Sequence, residues 1–223
     1  MTEAHTKKSN WIPLESNPEV LNEYVRKMGG PTDWAYTDVF GLDQELLQMI
    51  PKPVIAVFSL VPKQDVALQE TIDTQKIPKD LIFYKQTIPN ACGTIGLLHS
   101  LANNTHAINL KDGPLKRLIE KTRELTPEER AKVLEEDEEL EHAHREHSEH
   151  GQSRVHTDTD LHFTCFIQKD GFLYELDGRR LYPFNHGPSS DLLSDSARAI
   201  KKFIDQNPNE SRFNVIALAP NQD

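Results

Sequence analysis

The sequence predicts an α+β domain with a central, mainly antiparallel β-sheet flanked by helices. Three observations predict it. Helical periodicity dominates the first half of the chain, while two-residue alternation dominates the second. A Lys169-Asp170-Gly171 turn joins two alternating runs, the mark of a hairpin. The stretch PVIAVFSLVP, residues 53–62, is continuously apolar between prolines and reads as a buried strand.

The elements follow in order. In SNPEVLNEYVRKMGG, Asn17 caps a helix, Pro18 opens it, and Gly29-Gly30 stops it. Val20, Leu21, Tyr24, Val25 and Met28 share its apolar face. DQELLQMI, residues 43–50, is a short second helix that ends before Pro51. DLIFYK, residues 80–85, reads as a short strand. ACGTIGLLHSLANN, residues 91–104, is apolar almost all round, so it predicts a helix buried inside the domain. GPLKRLIEKTREL is amphipathic. TPEERAKVLEEDEELEHAHREHSEH opens with a Thr126–Glu129 capping box, then turns polar on every side. It predicts an exposed helix fraying into a loop. LHFTCFIQKDGFLYELDGRRLYPFNHG gives the hairpin and a third strand, SDLLSDSARAIKKFIDQNP a capped amphipathic helix, and RFNVIALAP a last strand.

The chain has 223 residues, with 37% hydrophobic and 27% charged, and its formal net charge is −10. An acidic surface repels nucleic acid and anionic lipid and favours basic partners. Two cysteines make no disulfide framework and fit a reducing compartment, the cytoplasm or the nucleus. The polar N-terminus shows no secretory signal, and no apolar run reaches the roughly 20 residues of a membrane span. With neither a repeat nor a linker, residues 1–223 read as one domain, expected to act as a monomer.

Cys92 stands in the first turn of the buried helix, where unpaired N–H groups and the helix dipole favour a thiolate. Gly93 beside it leaves the sulfur approachable. Gln86, six residues earlier, can donate to a developing oxyanion. Spacing alone leaves Cys92 open as a small buried residue. His162 lies in an alternating strand, opposite the face formed by Leu161, Phe163, Cys165 and Ile167. A two-residue Asp170-Gly171 loop would put Asp177 diagonally beside His162, whereas a bulged turn would send it to the other face. Cys165 reads as core. His142, His144, His147, His150 and His156 have neither a cysteine partner nor a repeating face, so they read as a solvated segment and not a zinc site. No structural metal site is expected from these spacings.

Gln86, Cys92, His162 and Asp177 follow the order of roles in papain-like thiol hydrolases. The stretches WIPLESNPEV, KQTIPNACGTIGLLH, LTPEERAKVLE, DLHFTCFIQKDGFLYELDGRRLYPFNHG and FNVIALAP carry a fuller likeness. Together they resemble the small single-domain ubiquitin C-terminal hydrolases over about residues 10–219. The resemblance implies a papain-like fold with a knotted backbone. It implies Cys92 as nucleophile, His162 as base, Asp177 as its orienting partner and Gln86 as oxyanion donor. The implied reaction releases small adducts or short peptide extensions from the C-terminal glycine of ubiquitin. A related ubiquitin-like modifier, or ubiquitin binding without turnover, are the alternatives. The resemblance also implies a crossover loop over the active site, here residues 141–160, somewhat shorter than in relatives. Glu15, Glu19, Asp38 and Asp43 match acidic positions of the family and are candidates for binding the basic ubiquitin tail.

Overall fold

The computed structural model describes residues 11–63, 77–149 and 159–222. Six strands form one sheet in the order β1-β6-β2-β3-β4-β5, with every neighbouring pair antiparallel. They are β1 (Trp34–Asp38), β2 (Ala56–Pro62), β3 (Leu161–Lys169), β4 (Phe172–Leu176), β5 (Phe184–Pro188) and β6 (Asn214–Pro220). Among the described residues seven helices accompany them: α1 (Pro18–Lys27), α2 (Gln44–Leu47), α3 (Cys92–Ala102), α4 (Pro114–Thr122), α5 (Pro127–Glu135), α6 (Glu138–Glu149) and α7 (Leu192–Gln206). The predicted α+β class with a central antiparallel sheet is what the structure has.

Alternation in the strands sorts side chains onto two faces. Phe58, Phe163, Cys165, Ile167, Tyr174 and Ile216 join a large core with residues of α1 and α3. Val57, Phe166, Leu173, Val215 and Ala217 pack beneath Leu193, Ala197 and Ile200 of α7. Every residue of α3 is buried, as its all-round apolar sequence requires. Each fully buried Leu or Ile there contributes about 1.5–3 kcal/mol over exposure.

The β3–β4 turn is tight: Asp170 and Gly171 have φ of 51° and 79°, the left-handed pair a two-residue hairpin demands. Cys165 pairs with Leu176 and Phe166 with Glu175, so no bulge intervenes.

Three readings are corrected. DLIFYK does not enter the sheet, although Leu81–Tyr84 are buried. Side chains pair its backbone instead. The Ile82 N–H donates to Asn103 Oδ1 (2.8 Å), the Tyr84 N–H to His99 Nε2 (2.9 Å), and Arg130 donates to the Phe83 carbonyl (3.2 Å). Local sequence cannot tell such an extended segment from a strand.

The acidic stretch after Thr126 is two helices, α5 and α6, and α6 is not an exposed one. Asp137 accepts from the Leu140 N–H (2.8 Å) and restarts the chain. Leu140, Ala143, His144 and His147 are then buried. Two histidines serve as aromatic packing surfaces: His144 lies 4.2 Å from Trp11 and His147 stacks on Tyr24 at 5.2 Å. Residues 141–149 of the expected crossover loop therefore belong to α6, while His150 and His156 lie outside the described residues. The third correction concerns β1, which the sequence reading missed. It pairs along β6, with Tyr36 opposite Leu218.

Candidate active site

Cys92 is the first residue of α3, and Ala91 before it offers no side-chain cap. The first-turn amides of such a helix have no intrahelical partner. The N–H groups of Gly93 and Phe163 turn toward the sulfur. Burial works against a charged sulfur, but the hydrogen bond and charge of His162, with those two amides, outweigh it, and the thiol pKa is lowered.

His162 comes from β3 and Asp177 from just past the end of β4. His162 Nε2 meets Asp177 Oδ1 at 2.6 Å, with both side chains buried. The other ring nitrogen is then the one that meets the thiol. Burial opposes a charged ring here, yet Asp177 and Cys92 together raise the His162 pKa to about 9. Burial likewise pushes the Asp177 carboxyl up, and His162, the Arg179 N–H and the Arg179 charge bring it below its ordinary value. Asp177 Oδ1 also accepts from the Arg179 N–H at 2.9 Å. A lowered thiol beside a raised imidazole favours the thiolate–imidazolium form of the pair, the form that can attack a carbonyl without a separate deprotonation step.

Gln86 lines the same cleft, of about 290 Å³, with Asn90, Cys92, His162 and Arg179. Its amide donates one N–H to the Ile88 carbonyl (3.2 Å), and a carboxamide carries a second. Its backbone N–H donates to the Gly178 carbonyl (2.8 Å). A Cβ on Gly178 would stand 3.0 Å from the Gln86 Cβ and 2.9 Å from Ile95 Cγ2. Glycine after Asp177 thus lets the dyad strand close on Gln86. Gly93 serves otherwise than expected. It is buried, and a Cβ there would lie 2.9 Å from the Leu14 Cβ, so it admits Leu14 against α3.

The sequence reading missed two supports of the Cys92 turn. Asn90 adopts a left-handed φ of 62° and donates to the Trp11 carbonyl (2.9 Å), shaping the turn before Cys92. Its Pro-Asn context was the available signal. Two residues after Cys92, Thr94 meets His144 Nδ1 at 2.8 Å, and His144 Nε2 meets the Ile12 carbonyl at 2.7 Å. Nothing local announces that contact. Burial lowers the His144 pKa to about 4, so the ring is neutral at pH 7.

The four acidic candidates are apart from the cleft wall. Asp43 caps α2, accepting from the Leu46 N–H (3.2 Å). Glu19 lies in the first turn of α1. Asp38 ends β1, its carboxyl raised by burial against a hydrogen bond from Asn214, which also donates to the Ser16 carbonyl (2.8 Å). Asn214 thereby brings Asp38 toward the Glu15–Ser16 segment. Among the described residues, no cluster of His, Cys, Asp or Glu could hold a metal ion.

Comparison with known proteins decides the family. The model of ubiquitin carboxyl-terminal hydrolase family 1 matches residues 11–205. The chain belongs to this family. It is 46% identical over 219 residues to ubiquitin carboxyl-terminal hydrolase 3 of Arabidopsis thaliana, covering 94% of each chain. It is 40% identical to a Drosophila melanogaster ubiquitin carboxyl-terminal hydrolase, covering 95% of this chain and 98% of the other. The fold superimposes on the Trichinella spiralis UCH37 catalytic domain bound to ubiquitin vinyl methyl ester. The TM-score is 0.82 at 24% identity, over 98% and 99% of the two chains. For a ubiquitin carboxyl-terminal hydrolase the site's inventory is coherent: a helix-mouth thiol of lowered pKa, an oriented imidazole and a nearby carboxamide.

Proposed function

We propose that this protein is a thiol-dependent deubiquitinase. It cleaves the bond after the C-terminal glycine of ubiquitin and releases small adducts or short peptide extensions. The carrying observation is His162, held between Asp177 and Cys92. The Cys92 thiolate attacks the glycine carbonyl. The oxyanion that forms takes hydrogen bonds from Gln86 and the first-turn amides of α3. The His162 imidazolium gives its proton to the leaving amine, and the C–N bond breaks. A water, deprotonated by His162, then hydrolyses the thioester and returns the thiolate. No metal or organic cofactor takes part in these steps.

The partner is ubiquitin, whose basic tail suits a chain of net charge −10. Glu15, Glu19, Asp38 and Asp43 are the proposed acidic approach to that tail. A monomer in the cytoplasm or nucleus is the proposed setting, in keeping with two unpaired, buried cysteines.

The test is mass spectrometry after exposure to ubiquitin carrying a C-terminal electrophile. The expected result is one adduct, on Cys92, lost in Cys92→Ala while ubiquitin still binds. Binding with no adduct on the unaltered protein would make it a binding module. Faster reaction with a ubiquitin-like probe would move the substrate to that modifier.

A further inference from the structure

A second cavity, of about 460 Å³, lies beyond His162, between β3–β4 and α7. Its wall includes His162 and Asp177 but neither Cys92 nor Gln86. Lys63, His162 and Arg179 line both this cavity and the catalytic cleft, so the two adjoin at the imidazole.

Chemistry gives the direction. The group that protonates a leaving amine must sit beside it. The leaving group therefore lies on the imidazole side of the scissile bond, away from Cys92 and Gln86. A chain continuing from that amine runs toward the second cavity, whose volume falls within the roughly 300–1,000 Å³ of small-ligand sites.

Charge gives the class. Four cations line the cavity: Lys63, Arg179, Arg180 and Lys202. Two carboxylates oppose them. Asp177 is committed to His162 at 2.6 Å, and Glu175 meets His186 at 2.8 Å and Arg180 at 4.0 Å, so the wall holds two more cations than carboxylates. A net-positive lining is a local reversal in a chain of formal charge −10. It would repel the basic ubiquitin tail, which belongs on the other side of the scissile bond.

We infer that this cavity is the leaving-group subsite and that it selects acidic peptide extensions. The inference rests on the hydrolase reading above. Arg180 and Lys202 lie only on the second cavity's wall and meet the extension beyond its first residue, whereas Lys63 and Arg179 meet it at the junction.

Three ubiquitin fusions test it, extended by Gly-Glu-Glu, Gly-Gln-Gln or Gly-Lys-Lys and amidated at the end. The expected order of kcat/KM is acidic, neutral, basic. The acidic-to-basic ratio should be roughly threefold to tenfold, shrinking with added salt. Lys202→Glu, on the exposed face of α7, should reduce that ratio, and Arg180→Gln should do the same where it folds. Equal rates for the three fusions, or a ratio untouched by Lys202→Glu, would overturn the subsite while leaving the hydrolase intact. If none of the fusions, and no fluorogenic ubiquitin amide, is cleaved, the hydrolase reading itself fails.

Discussion

Cys92 and Cys165 carry the same thiol in opposite surroundings. Both are buried, but burial alone acts on Cys165 and pushes its pKa well up. At Cys92 the imidazole and two backbone amides reverse that penalty. Iodoacetamide should therefore label Cys92 in the folded protein and spare Cys165, as peptide mapping would show. His162→Asn should leave Cys92 labelling rising with pH toward the free-thiol range near 8.5. Activity needs the imidazolium to protonate the leaving amine. With the His162 pKa at about 9, kcat/KM should fall as pH rises through that value. Gln86→Ala should lower kcat by roughly 10²–10³-fold, the cost of an oxyanion donor, with little change in KM. Residue type and local position made Cys92, Gln86 and His162 candidates, while their expected roles came from the family resemblance and not from spacing. The Asp177 contact depended on a register that only the unbulged Asp170-Gly171 turn resolves. His144 escaped notice because its partners, Thr94 and Ile12, are remote in the chain.

Elements deliver these residues, and their failures should be selective. Gly178→Ala would drive a methyl group against Gln86 and Ile95. It should lower kcat more than it lowers thermal stability, because the contact is with Gln86, the proposed oxyanion donor. Leu140 is almost fully buried on α6, and Leu140→Ala should cost about 2–5 kcal/mol in urea unfolding. His144 ties α6 to α3 as a neutral ring. Its pKa of about 4 is below the unfolded value of 6.5, so its contribution is present above pH 6.5 and is lost as pH falls toward 4. Urea midpoints should decline over that window, less so in His144→Phe. His162 has the opposite sign, contributing below 6.5 and fading as pH rises through about 9. Caps, turns and alternation made most of these elements legible beforehand. α6 was misjudged because its buried stripe is built from histidines, which a polarity pattern counts as solvated. DLIFYK was misjudged because α3 and Arg130 supply the partners a neighbouring strand would have given.

The whole molecule brings two distant pieces of chain together. Residues 86–94 carry Gln86 and Cys92, and the β3–β4 hairpin carries His162, with Asp177 just past its end. The helix α3 packs directly on β3, so the sheet fixes the distance between them. β6, the last of the described strands, lies between β2 and the edge strand β1. Net charge is a property of this scale as well. A basic ubiquitin tail approaching an acidic enzyme should give a kcat/KM that declines with salt, mainly through KM. The proposed reaction stands on a Cys92 that rests as a thiolate beside a charged His162. Its most direct measurement is the pH titration of thiolate absorbance at 240 nm in Cys165→Ser, with Cys92→Ala as the blank. The expected result is a Cys92 thiolate already formed well below the ordinary thiol range, and its loss in His162→Asn. A Cys92 that titrates near 8.5 regardless of His162 would contradict it.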